Sequence, residues 1–113
     1  LLTDRQELAN IFAMCDVFAL PSRCDCFPSV QVEAMLCGTP PVTSDIPGAR
    51  EAVRVTGMGR LVRPGDPQAL AEGLIEVLAA PELSRRPYEQ VRGVFNIDRT
   101  VAEYEQLMQS LAR

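Results

Sequence analysis

The sequence has no lysine, no histidine and no tryptophan, and every one of its 11 basic residues is arginine. Without histidine the chain lacks the side chain that most often serves as a general base near neutral pH and as a metal ligand. Any histidine-dependent chemistry must come from outside these residues. A basic excess is missing too. Fifteen acidic residues against 11 basic ones leave a formal net charge of −4, which argues against nucleic acid as a partner, because a phosphate-backbone binder shows a basic face. No stretch approaches the ~18 uninterrupted apolar residues of a membrane span, and the first residues show no signal-peptide pattern. Leu1 stands where a start methionine would, so the chain is expected to be part of a longer protein. The four cysteines, Cys15, Cys24, Cys26 and Cys37, do not form a ligand pattern. Cys24 and Cys26 are separated by one residue rather than two, with no second spaced pair, so neither a zinc knuckle nor a redox pair is expected. Cys15 and Cys37 lie in apolar runs, where cysteine acts as a small buried hydrophobe. Free thiols in a reducing cytoplasm are the expectation.

What is present is ordinary for a soluble domain: 113 residues, 47% hydrophobic and 23% charged, enough for one domain or a piece of one. Residues 3–15 read as a helix, with Thr3 as cap, Gln6 completing a capping box, and Leu8, Ile11, Phe12 and Cys15 at helical spacing. Val17–Leu20 is a short apolar run that suits a buried parallel strand. A helix is predicted from Pro28, as its first residue, through Leu36, with Gly38 as its left-handed terminator. Pro41-Val42-Thr43 and Arg60-Leu61-Val62 are the other strand candidates, and Ala49–Val53 is a helical turn between them. Asp66 and Pro67 read as cap and first residue of a helix carrying Leu70, Leu74 and Leu78. Residues 83–94 read as one more helix. Asp98 opens the last, with Val101, Tyr104, Leu107, Met108 and Leu111 on one face. Strands alternating with helices define an α/β fold with a parallel sheet and right-handed crossovers.

The chemistry concentrates between Pro21 and Val53: a strand, a loop, a helix N-terminus and two carboxylates, Asp25 and Glu33. In an open parallel sheet ligands bind beyond the carboxyl ends of the strands. A helix start at that place offers unpaired N–H groups and the positive end of a dipole, which suits an anion. Asp25 is either a helix cap or a ligand contact; with Phe27 at the expected cap position it lies early for a cap. Glu33 shares a face with Ser29, four residues before it, and leans back toward the helix start. Much of this helix is expected to be buried, and a lone buried carboxylate is costly. Glu33 is thus either a solvated helix charge or, if buried, a carboxylate in need of a partner: a ligand's hydroxyls, whose hydrogen bonds a carboxylate accepts, or a nearby arginine.

This stretch resembles the retaining glycosyltransferases of the two-domain GT-B fold, in the large family also called group 1. Their signature is a Pro-Ser, then two acidic residues with seven between them, then Glu-Ala-Met, a Gly-x-Pro and a Gly-x-x-Glu. Here Pro21-Ser22, Asp25, Glu33-Ala34-Met35, Gly38-Thr39-Pro40, Gly48 and Glu51 fit it, and Gly59–Asp66 matches the family's Gly-x-Leu-Val-x-Pro-Gly-Asp run. The resemblance covers essentially the whole chain. It implies that residues 1–113 are the C-terminal half of a GT-B C-terminal domain, part of a doubly wound Rossmann-like sheet, with closing helices from about residue 83. It also implies that a nucleoside diphosphate sugar is the donor and that no metal or other cofactor is needed. Glu33 would bind the donor's ribose. Asp25 would lie near the transferred sugar as the catalytic acidic residue. Phe27, Pro28, Ser29 and Val30 would form the donor-binding helix start, with the amides around Ser29 and Val30 on the diphosphate. Two departures stand out: Asp25 is a methylene shorter than the more common Glu, and Pro28 replaces a common Gly and has no N–H.

The resemblance also implies what must lie elsewhere: an acceptor-binding N-terminal domain, the first half of the donor domain, and a basic pair for the diphosphate. A chain without them is expected to be inactive alone and to self-associate through the open edge of its first strand, unless a rearranged segment covers that edge. The parent would be cytoplasmic or peripheral to the inner face of a membrane. Two alternatives remain from the sequence: a GT-B sugar-nucleotide epimerase, and a non-catalytic interaction module or fragment.

Overall fold

A computed structural model describes residues 4–112. Helix α1 spans Arg5–Met14 and is capped by Asp4, whose carboxylate accepts from Gln6 N–H at 2.8 Å. The expected cap Thr3 lies outside the described residues. Chain reversal at Cys15 leads into β1, Phe18–Leu20. Helix α2 (Ser29–Leu36) then crosses to β2 (Pro41–Ser44), and α3 (Ala49–Thr56) crosses to β3 (Arg60–Val62). The sheet is fully parallel in the order β1-β2-β3, with Ala19 opposite Val42 and Thr43 opposite Leu61.

Several sequence expectations change here for identifiable reasons. Helix α2 begins at Ser29, not Pro28. Pro28 has extended ψ and is itself the cap, so Phe27 is not. The predicted turn after Gly48 is a full helix, because α3 buries Ala49, Ala52, Val53 and Thr56 against its neighbours. Residues 83–94 are not one helix. A short α5 (Pro81–Ser84) and α6 (Tyr88–Val94) are separated before Pro87, which lacks the N–H that a continuous helix would need. The last helix, α7 (Ile97–Leu111), is capped by Asn96, whose side chain accepts from the N–H groups of Asp98 and Arg99. Strand β1 is only half-buried, with Ala19 exposed, because it is an edge with β2 on one side only. Among the described residues no rearranged segment pairs with that edge.

Two apolar clusters hold the sheet. Met35, Ala52, Val53, Met58 and Val91 bring together α2, α3 and α6. Val42 and Val62 meet Val77 of helix α4 (Pro67–Ala79) in the other cluster. Helix α4 starts as predicted, with Asp66 accepting from Ala69 N–H at 3.0 Å and Pro67 as its first residue. Its inward stripe, however, is Leu70, Gly73, Leu74 and Val77, with Gly73 and Val77 buried and the two leucines half-buried; Leu78 is exposed, because at 3.6 residues per turn the face returns at the seventh residue better than at the eighth. Gly73 lets the helix sit directly on the strands: a Cβ there would lie 2.6 Å from Val62 Cγ1. At the far end of α2, Gly38 at φ +86° closes the helix, with Gly38 N–H on Met35 O at 3.0 Å and Thr39 N–H on Ala34 O at 2.9 Å. The buried Thr39 hydroxyl donates to Phe12 O and so ties this turn to α1.

Candidate functional site

The fold carries the β1–α2 loop (residues 21–28) and the start of α3 to the carboxyl ends of β1 and β2. Asp25 sits half-buried in that loop. Phe27 is 47% exposed and tilts against Phe95, ring centroids 6.2 Å apart. Pro28 is buried and opens α2 without any side-chain cap. The first two helical N–H groups, on Ser29 and Val30, have no hydrogen bond among the described residues; the first α2 bond runs from Gln31 N–H to Pro28 O. These two donors and the end of the helix dipole form a place where negative charge is stabilised.

Glu33 lies one turn further along α2. Contrary to the expectation of burial it is exposed, and its carboxylate makes no hydrogen bond or ion pair among the described residues. The helix turns Gln31, Ala34 and Met35 inward, and Glu33 projects from the other side, so no burial penalty demands a partner. It opens onto a groove between α1 and α2 of about 560 Å³, lined also by Arg5, Leu8, Phe12, Leu36 and Cys37. Asp25 does not line this groove. The structure thus groups Asp25, Phe27, Pro28, Ser29 and Val30 around the helix start and sets Glu33 beside it, over the α1–α2 groove.

The cysteines differ from expectation in one respect. All four are free, but Cys15 is exposed, like Cys24 and Cys26, because it caps α1 at the surface rather than entering the core. Cys37 is half-buried, and burial, followed by the charge of Glu33, raises its thiol pKa. That thiol stays protonated near neutral pH and is a poor nucleophile. Among the described residues no group of three or more Cys, Asp or Glu side chains is arranged to hold a metal ion.

Two residues to which sequence reasoning assigned no role of their own, one of them the signature glycine Gly48, shape the site. Gly48, at φ +84°, begins α3 directly against the Asp25–Cys26 backbone: a Cβ there would lie 2.0 Å from Cys26 O and 2.6 Å from Asp25 O. Gln31 is fully buried, and its Nε2 donates to Ala49 O at 2.8 Å. A signal for Gln31 was available. It precedes Ala34 and Met35 by three and four positions and so shares their buried face, where a polar residue requires a partner.

The family model described as glycosyl transferases group 1 matches residues 2–94. A D-inositol 3-phosphate glycosyltransferase of Geodermatophilus obscurus is 38% identical over 94 residues, covering 83% of this chain and 21% of that protein. An N-acetyl-alpha-D-glucosaminyl L-malate synthase of Bacillus anthracis is 30% identical over 116 residues, covering 99% of this chain and 30% of that protein. The chain therefore spans between about a fifth and a third of the length of these curated relatives. Among solved structures, sucrose-phosphate synthase from Thermosynechococcus elongatus superposes with a TM-score of 0.78 at 33% identity, over 96% of this chain and 28% of that one. Anabaena HepE in complex with UDP superposes with a TM-score of 0.67 at 29% identity, over 85% of this chain and 29% of that one. No helix among the described residues is long and apolar enough to cross a membrane. A parallel βαβ sheet with an uncapped helix start at its carboxyl edge, matched in sequence over residues 2–94 and in shape to GT-B enzymes, makes this chain a member of the group 1 glycosyltransferase family.

Proposed function

We propose that residues 1–113 are the donor-binding second half of the C-terminal domain of a retaining glycosyltransferase, which moves a sugar from a nucleoside diphosphate sugar to an acceptor hydroxyl. The observation that carries this reading is the start of α2: free N–H groups on Ser29 and Val30 at the sheet's carboxyl edge, with an unpaired carboxylate, Glu33, one turn away. The two amides and the helix dipole hold the diphosphate, and they stabilise it most as it leaves and its charge grows. Glu33 accepts hydrogen bonds from the ribose hydroxyls; placed beside the amides rather than among them, it does not oppose the phosphates directly. The groove next to it, at about 560 Å³, falls within the size range of small-molecule sites, roughly 300–1,000 Å³. Phe27 and Pro28 shape the approach to the amides, and Asp25 serves the transferred sugar. UDP in the HepE complex is consistent with a nucleotide donor.

The rest of the machinery, an acceptor domain and cationic groups for the diphosphate, comes from other parts of the polypeptide, and these residues alone transfer no sugar. The one-sided β1 and the apolar face of α7 support that reading, since both are surfaces that another part of the protein would cover. Calorimetry on the full-length polypeptide with UDP, ADP and GDP in turn tests the site. Glu33→Ala is expected to weaken the preferred nucleotide by about 1.5–3 kcal/mol, the range for a lost charged hydrogen bond. Unchanged affinity in a folded variant refutes the ribose role.

A further inference from the structure

We infer that Gln31 is a positioning residue: its buried carboxamide, acting with the bare α-carbon of Gly48, clamps the Asp25 loop to the start of α3. This inference rests on the donor-site reading above and adds to it what holds Asp25 in place. Two contacts join the same two segments. On one side Gln31 Nε2, from the first turn of α2, donates to Ala49 O at 2.8 Å. On the other, Gly48 lies so close to the Asp25–Cys26 peptide that a Cβ would overlap both carbonyls. The first turn of α3 is held between α2 and the loop. Asp25, two residues from the loop's aromatic and four from the free amides, therefore takes its place relative to α2 partly from α3.

The orientation of the amide follows from its surroundings. Turned over, Gln31 would set Oε1 against the Ala49 carbonyl, acceptor facing acceptor. As placed, Nε2 is bonded and Oε1 is buried with no partner. The joint thus rests on a single donated hydrogen bond inside a buried contact, where a bond is strong and its loss is felt. That makes Gln31 sensitive to replacements that keep its length and remove its donor.

Two variants in the full-length polypeptide test this. Gln31→Met keeps length and removes the N–H. Gln31→Glu keeps the shape and offers a donor only when protonated. Burial and the facing carbonyl raise that carboxyl above its ordinary range, so the donor form returns as pH falls. Misplacement of about 1 Å at a reacting group can cost roughly a hundredfold. Gln31→Met is accordingly expected to lower kcat by about tenfold or more with donor KM within about twofold. The ratio of Gln31→Glu to wild-type kcat should climb toward one as pH is lowered, while the Gln31→Met ratio stays flat. Hydrogen exchange at Arg50 and Glu51, whose N–H groups bond to Ile46 O and Gly48 O, should quicken in Gln31→Met. Wild-type kcat in Gln31→Met, a parallel rise in KM, a pH-independent Gln31→Glu ratio, or unchanged exchange overturns the clamp. Absence of transfer by the wild-type protein with any nucleoside diphosphate sugar overturns the donor-site reading instead, and exchange then decides the clamp by itself.

Discussion

Helices α3 and α7 reverse what their sequences promise. Helix α3 is eight residues of mixed character, expected as no more than a helical turn, yet it buries four of them: Ala49, Ala52, Val53 and Thr56. Helix α7 runs for 15 residues with Val101, Tyr104, Leu107, Met108 and Leu111 along one face, and none is buried. An apolar stripe says that a helix has something to bury. It does not say whether the partner is in the same chain. Helix α3 has its partners in β2, α2 and α6. Helix α7 lies past the family-matched residues 2–94, and its order rests on local devices: the Asn96 cap and an Arg99–Glu103 pair at 2.7 Å across one turn. Such local terms contribute about 0.5–2 kcal/mol for a cap and a few tenths for the pair.

The largest effect should come where α3 meets the site. Gly48→Val would add a β-branched side chain at φ +84° and drive its Cβ into the Cys26 carbonyl. Backbone strain of about 1–3 kcal/mol adds to the clash, so a loss of about 3–5 kcal/mol is expected from urea unfolding. A loss under about 1 kcal/mol would mean that α3 is not held against the loop. A matched pair of methionines sharpens the comparison further. Met35 is fully buried at the centre of the α2–α3–α6 cluster, whereas Met108 on α7 is 65% exposed. Met35→Ala should cost about 2–5 kcal/mol and Met108→Ala under about 0.5 kcal/mol in the same unfolding assay. Equal losses would show that α7 is packed against something in solution, and the contrast between the two helices would fall.

The same contrast explains how much of the molecule the sequence disclosed. The Asp66–Pro67 helix start and the Gly38 stop were legible because each is a local pattern with one stereochemical solution. The position of the β1–α2 loop and the α2 start at the sheet's carboxyl edge was legible because a loop followed by a helix at a strand's carboxyl end has few places to go, whereas roles for Asp25, Phe27, Pro28, Ser29 and Val30 came only from the family resemblance. The exposure of Glu33 was not legible. Apolar neighbours surround it in sequence, but the helix turns inward along Gln31, Ala34 and Met35, and only packing decides that direction. The Gln31–Ala49 bond and the Gly48 contact join positions 18 and more residues apart, and periodicity within one helix carries no information about such distances. Pro87 splits the predicted helix of residues 83–94, because a proline disfavours helical conformation in the residue before it.

The smallest effect tests the margin of the packed region, where Cys37 faces the α1–α2 groove beside Glu33. Burial raises the Cys37 pKa first, and the Glu33 carboxylate raises it further. The reactive species toward alkylating agents is the thiolate. A raised pKa therefore means a smaller thiolate fraction at pH 8, and Cys37 should react more slowly with iodoacetamide than the exposed Cys24 and Cys26. Glu33→Gln removes the negative charge and leaves the burial. The Cys37 pKa should then move down part of the way, and its alkylation at pH 8 should quicken by about twofold to fivefold, since each pKa unit is a tenfold change in the thiolate ratio. Cys15, at the end of α1 and outside this groove, should not change. Mass spectrometry of timed, quenched samples reads each site separately. An equal acceleration at Cys15 would mean that Glu33→Gln had loosened the fold generally. No acceleration at Cys37 would mean that the Glu33 carboxylate points away from the groove, and the ribose contact proposed for it would lose its geometric basis.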